Sequence, residues 1–174
     1  MRPPAADEAW IGLGTNLGDR DANLSEALQH FGDLVVAVSP VFETEPWGIK
    51  DQPWFLNAVA RLYWTQGARV LLTRCLAIER ALGRVRVERN GPRTIDIDIL
   101  VCGPGYLDEP GLQVPHPGIA SRRSVLDPWV AVAPDLEVPG TSRSIAELDR
   151  ASRGLDGHAS RRWTSPGRRA FGTL

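Results

Sequence analysis

Arg93-Thr94-Ile95-Asp96-Ile97-Asp98-Ile99-Leu100 alternates side chains of opposite character almost without a break. In an extended chain successive side chains point to opposite faces, so Thr94, Asp96, Asp98 and Leu100 share one face and Ile95, Ile97, Ile99 and Val101 the other. The isoleucine face is expected to enter a core, which predicts a strand over 94–101 with two carboxylates side by side on its other face. Like charges at that spacing repel and gain little from adjacency unless a cation joins them. Two readings stand. The acids line the wet face of a half-solvated strand, or they are oxygen ligands for magnesium, which commonly takes one or two carboxylates together with phosphate oxygens and water.

The connection feeding this strand carries Arg84, Arg86, Arg89 and Arg93. Guanidinium groups and carboxylates meeting in one cleft would suit a polyphosphate with its magnesium. The bland alternative is a solvated loop in which the arginines pair with Glu88. Before this loop, Leu71, Cys75, Ile78 and Leu82 make an apolar stripe that predicts a helix over 68–82, stopped at Gly83. Earlier still, residues 55–64 read as a strand with Leu56, Ala58, Ala60, Leu62 and Trp64 on its continuous apolar face. Asn57 is the telling exception there, because a buried amide needs partners.

Residues 45–53 form a loop rich in turn formers, and 34–44 an extended, β-branched segment interrupted by Pro40. Ala22, Leu24, Ala27, Leu28 and Phe31 recur at helical spacing, with Gly32 as the stop; the apolar run 8–13 before them reads as a strand delivering a Gly-Thr-Asn-Leu-Gly-Asp turn. Beyond the aspartates, Pro and Gly punctuate 103–118, short helices are expected at 125–133 and 145–150, and the Arg, Ser and Gly content after Arg150 predicts a mobile tail. The order strand, helix, strand, strand, helix, strand predicts an α+β ferredoxin-like sandwich, a mainly antiparallel sheet flanked by helices. One domain over 8–150 is expected, with 1–7 and 151–174 as flexible termini.

Bulk composition agrees with one core: 174 residues, 43% of them hydrophobic. A net charge of -1 and a pI near 6.3 supply no basic field for nucleic acid, although Lys50 is the sole lysine and every other cationic side chain of that class is arginine. Cys75 and Cys102 sit in apolar segments without metal-ligand spacing and read as reduced core residues. Residues 1–7 lack the apolar segment of a signal peptide, and no stretch approaches a membrane span, so a cytoplasmic protein is expected, as a monomer.

Several motifs, in order along the chain, resemble the 6-hydroxymethyl-7,8-dihydropterin pyrophosphokinase family. They are Ile-Gly-Leu-Gly-Thr-Asn-Leu-Gly-Asp at 11–19, Phe-Glu-Thr-Glu-Pro-Trp-Gly at 42–48, Asp-Gln-Pro-Trp-Phe-Leu-Asn-Ala at 51–58, Gly-Arg-Val-Arg at 83–86, Gly-Pro-Arg-Thr-Ile-Asp-Ile-Asp-Ile-Leu at 91–100 and Val-Pro-His-Pro at 114–117. The resemblance implies transfer of pyrophosphate from ATP to the hydroxymethyl oxygen of the pterin, with release of AMP. It also implies two magnesium ions on Asp96 and Asp98, and phosphate-binding arginines at Arg84 and Arg93. Nucleotide contacts are implied for Leu72, Ile99, His116 and Arg122, and pterin contacts for Thr44, Trp47, Phe55 and Asn57. Two positions depart from the pattern: Ser124 stands where the family usually places an aromatic residue, and Asn90 replaces the common aromatic before Gly-Pro-Arg. The D-x-D pair alone would also suit a two-metal nuclease or phosphohydrolase, and the fold alone an RNA-binding module, which the missing basic face disfavours.

Overall fold

The structure is a computed structural model, and it describes residues 1–85, 91–153 and 159–165. In chain order the elements are β1 (Glu8–Thr15), α1 (Arg20–Phe31), β2 (Val35–Val38), β3 (Phe42–Thr44), β4 (Phe55–Tyr63), α2 (Gly67–Ala81), β5 (Asp96–Cys102), β6 (Leu107–Glu109), β7 (Leu112–Val114), α3 (Arg123–Val130), β8 (Glu137–Val138), β9 (Arg143–Ser144), α4 (Ile145–Ser152) and β10 (Ser160–Arg162). Local chemistry sets the boundaries. Asp19 accepts the Ala22 N–H at 3.0 Å to begin α1, and Gly32, at φ 58°, ends it in a conformation costly for side chains with a Cβ. Ser144 and Glu147 close a reciprocal capping box on α4. Pro40 divides the extended segment into β2 and β3.

The main sheet runs β10-β3-β4-β1-β5, with β2 also paired to β4, and its pairings are antiparallel. The central strands follow the ferredoxin-like order predicted from sequence. One face packs on α1 and α2 through Ile11, Leu24, Leu56, Leu71, Cys75 and Ile97. The other is covered by α3 and α4, where Trp10, Val59, Leu100, Leu126, Trp129 and Leu148 form a second cluster. Burial on both sides explains why β4 is apolar almost throughout.

Two expectations are corrected. Val101 does not share the isoleucine face. Trp10 stands opposite Val101 and Ile11 opposite Ile99, so a bulge at Leu100 resets the alternation and sends Val101 into the second cluster. The expected mobile tail also contains a strand, for Ser160, Arg161 and Arg162 pair with Thr44, Glu43 and Phe42, and the Trp163 N–H donates to Val41 O at 2.8 Å. Its strand is short, polar and at the sheet edge, which explains the absence of an apolar pattern. At the other end, Arg2 is tied by backbone bonds to Asp135 and Glu137 and by its guanidinium to Glu8. Among the described residues no helix is long and apolar enough to cross a membrane.

Candidate active site

The floor of the site is β5 beside β1. Gly14 stands opposite Asp96 and Gly12 opposite Asp98, so β1 places no side chain over either carboxylate. A Cβ on Gly14 would lie 3.1 Å from Asn57 Oδ1, which makes the glycine a condition for the position of that amide. A cleft opens above, lined by Asn57, Arg93, Asp96, Asp98, Arg122 and Ser124.

Asp96 is held by two arginines. Arg84 Nη1 donates to its Oδ1, and Arg93 Nε lies 3.0 Å from its Oδ2. Glu79 organises this arrangement from α2. Its buried carboxylate pairs with Arg84 and accepts the Ile97 N–H of β5 at 2.9 Å. Burial works against the charge on Arg84, but Asp96 and Glu79 outweigh it and hold the guanidinium above its ordinary range.

Asp98 has a different environment. Arg122 Nη1 and His116 Nε2 approach its Oδ2 to only 3.9 and 4.0 Å. Desolvation in the cleft and the neighbouring Asp96 push its carboxyl up, against the pull of His116, Arg122 and Arg93. The His116 Nδ1 accepts the Gly118 N–H at 2.9 Å, which leaves Nε2 facing Asp98; burial pushes the imidazole pKa down. Gly118 permits this crowding, since a Cβ there would be 2.8 Å from Arg122 Nε and 3.1 Å from His116 Cε1.

Asn57, on the cleft face of β4, donates through Nδ2 to Thr44 Oγ1 at 2.8 Å. Phe55 is buried two residues earlier, and the Arg93 guanidinium lies over its ring, 4.8 Å from the centroid. Arg93 therefore touches both an acid and the aromatic wall. Asn16 fixes its backbone: Oδ1 accepts the Arg93 N–H at 2.8 Å while Nδ2 donates to Gln52 Oε1 and Pro53 O.

Of the residues expected from sequence, Arg84, Arg93, Asp96, Asp98, His116, Arg122, Phe55, Asn57 and Thr44 form one connected neighbourhood. Leu72 and Ile99 are elsewhere, on the α1 and α2 side of the sheet, Ile99 within the core and Leu72 partly buried against it. Trp47 stands 53% exposed in the loop between β3 and β4 and does not line the cleft. Arg86, Arg89 and Asn90 lie outside the described residues. Glu79 and Asn16 are the residues that sequence reasoning missed. An acid within the apolar face of α2 was the available signal for the first, and the Gly-Thr-Asn turn for the second.

A ferredoxin-like sheet carrying paired carboxylates among convergent arginines has the groups that phosphoryl-transfer enzymes use. Comparison with known proteins narrows the class. The sequence model of the 7,8-dihydro-6-hydroxymethylpterin-pyrophosphokinase (HPPK) family matches residues 10–134, and the chain belongs to that family. It is 43% identical over 147 residues to the 2-amino-4-hydroxy-6-hydroxymethyldihydropteridine pyrophosphokinase of Methylorubrum extorquens, covering 81% of this chain and 93% of that protein. The protein of the same name from Pseudomonas aeruginosa is 43% identical over 143 residues, covering 80% and 88%. Among solved structures, a Plasmodium falciparum HPPK-DHPS matches with a TM-score of 0.69 at 13% identity, a likeness of fold, over 85% of this chain and 46% of that longer one.

Proposed function

We propose that this protein transfers the terminal pyrophosphate of ATP to the hydroxymethyl group of 6-hydroxymethyl-7,8-dihydropterin, releasing AMP, as a step of folate biosynthesis. The observation that carries the reading is the placement of Asp96 and Asp98 on one strand face, between the arginines and the Asn57–Thr44 pair. The hydroxymethyl oxygen attacks the β-phosphorus and gives up its proton to solvent, the bond from that phosphorus to the oxygen bridging it to the α-phosphate breaks, and AMP leaves with that oxygen.

Two magnesium ions fit the donor set. Asp98 is a partly exposed carboxylate from which the nearest arginine and imidazole nitrogens stand back at about the limit of an ion pair, and Asp96 offers a second oxygen ligand on the same face. Among the described residues no group of three or more metal-binding side chains forms, so Asp96 and Asp98 would be the protein's ligands and the remaining positions would fall to phosphate oxygens and water. When bound, the magnesium neutralises charge on the triphosphate. Arg84 and Arg93, which pair with Asp96 here, put two guanidiniums beside the acids, where they would meet the phosphates of a bound nucleotide. Arg122 and His116 add donors at the Asp98 end. Leu72 and Ile99 would meet the adenine on the α2 side of β5, the outer strand of the sheet.

Asn57 presents an amide to the fused heterocycle, oriented by Thr44, and Phe55 offers its face once Arg93 moves. Trp47, exposed in the loop between β3 and β4, would meet the ring only if that loop folded over the cleft. The reading extends to a monomer working in the cytoplasm.

The test is product analysis with ATP, magnesium and 6-hydroxymethyl-7,8-dihydropterin. Pterin-dependent AMP is expected, abolished by chelation of magnesium; ADP as the main product would overturn the assignment.

A further inference from the structure

Glu43 is buried in β3, immediately before Thr44, and two arginines from distant parts of the chain converge on it. Arg20, at the start of α1, donates to Oε1 at 2.9 Å; Arg161, in the C-terminal strand β10, donates through Nε to Oε2 at 2.9 Å. Both guanidiniums also engage Trp54. Arg20 Nη1 donates to its carbonyl at 2.7 Å, and Arg161 lies over its ring, 5.4 Å from the centroid. The next residue is Phe55.

Further bonds fasten the same corner. The Glu45 N–H donates to Ala159 O at 3.0 Å, and Ser160 stands opposite Thr44. Trp163 packs beneath Arg20, whose guanidinium is 4.9 Å from its ring centroid, and its indole N–H donates to Asp21 Oδ1 at 3.2 Å. Thus β10 grips both ends of the loop between β3 and β4.

We propose that β10 positions the heterocycle site, with Arg161 acting as a positioning residue through Glu43 and Trp54. This rests on the pterin reading above. Thr44 and Phe55 belong to the two strand ends that the brace joins, so their separation, and the place of Asn57 bonded to Thr44, are set from the back of the sheet. Arg161 makes no contact in the cleft, and its own side chain is 68% exposed. Its removal leaves Glu43 paired with Arg20, so the fold is expected to survive.

The full chain carrying Arg161→Ala or Arg161→Lys is compared with wild type for binding of 6-hydroxymethylpterin and, separately, of a non-hydrolysable ATP analogue with magnesium. Arg161→Ala is expected to weaken pterin binding roughly tenfold, as for loss of a charge-assisted contact, and nucleotide binding less than about twofold. Arg161→Lys should fall between, keeping the charge but losing the planar fork. Equal weakening for both ligands, or none for either, would overturn the proposal. Ligand-free hydrogen exchange tests the brace itself: Arg161→Ala should accelerate exchange across residues 43–57 relative to the rest of the sheet, and unchanged exchange there would refute it. Wild type that binds the nucleotide analogue but no pterin would instead sink the pterin reading, while the exchange result still judges the brace.

Discussion

Glu79 spends one carboxylate on two jobs. It accepts the Ile97 N–H at the edge of β5 and pairs with Arg84, which in turn holds Asp96. Glutamine can keep the first bond through its carbonyl oxygen but gives up the charge, so Glu79→Gln separates the roles. We expect it to lower kcat/KM by roughly 10- to 100-fold, as for removal of a partner that orients a ligand, with a small change in Tm. Glu79→Leu should in addition lose about 1–3 kcal/mol of stability, because the Ile97 N–H is then left buried without its acceptor. Steady-state kinetics beside denaturant unfolding distinguish the cases, and wild-type activity in Glu79→Gln would remove it from the positioning of Arg84. Asp96 and Asp98 were legible in the sequence because strand alternation is a local property. Glu79 and Asn16 were not, since the Ile97 and Arg93 N–H groups that they accept lie 18 and 77 residues away and only the fold supplies them.

At the scale of an element, β1 serves the site by what it lacks. Gly12 and Gly14 keep the strand bare where it runs beside the aspartates, and Gly14 is close enough to Asn57 that a methyl group would press on the amide oxygen. Gly14→Ala should therefore shift Asn57 by a few tenths of an ångström, loosen its bond to Thr44 and raise the KM for pterin by about tenfold, with the KM for ATP nearly unchanged. Parallel measurement of the two KM values checks this, and an unaltered pterin KM would show that the amide tolerates the methyl. The helical and strand periods gave most elements to within a few residues. The bulge at Leu100 was hidden because it depends on how β1 pairs, and β10 because a short charged edge strand carries no apolar signal.

For the whole molecule, the sheet is buried on both faces, and the N-terminal segment helps join the α3 and α4 layer to it. Arg2 exchanges backbone bonds with Asp135 and Glu137 and directs its guanidinium to Glu8 at 2.7 and 2.8 Å; Glu8 also accepts the indole N–H of Trp10, a member of the second cluster, at 2.7 Å. Burial would raise the Glu8 pKa, but the bonds from Arg2, the Ala5 N–H and Trp10, with the charge of Arg2, outweigh it and hold the value at about 2. A carboxyl depressed in the folded state binds its proton more readily when unfolded. Its contribution is therefore complete above an ordinary value near 4.5 and disappears as the pH falls toward about 2. Glu8→Gln should cost about 1–2 kcal/mol at pH 7, a sum limited by the half-exposed Arg2, and should lose less further stability than wild type across that acid window. Denaturant unfolding of both proteins from pH 7 to pH 2 measures the difference. The two stability curves should converge at the acid end, and curves that stay parallel throughout would mean that Glu8 is not the group tying the N-terminus to the fold.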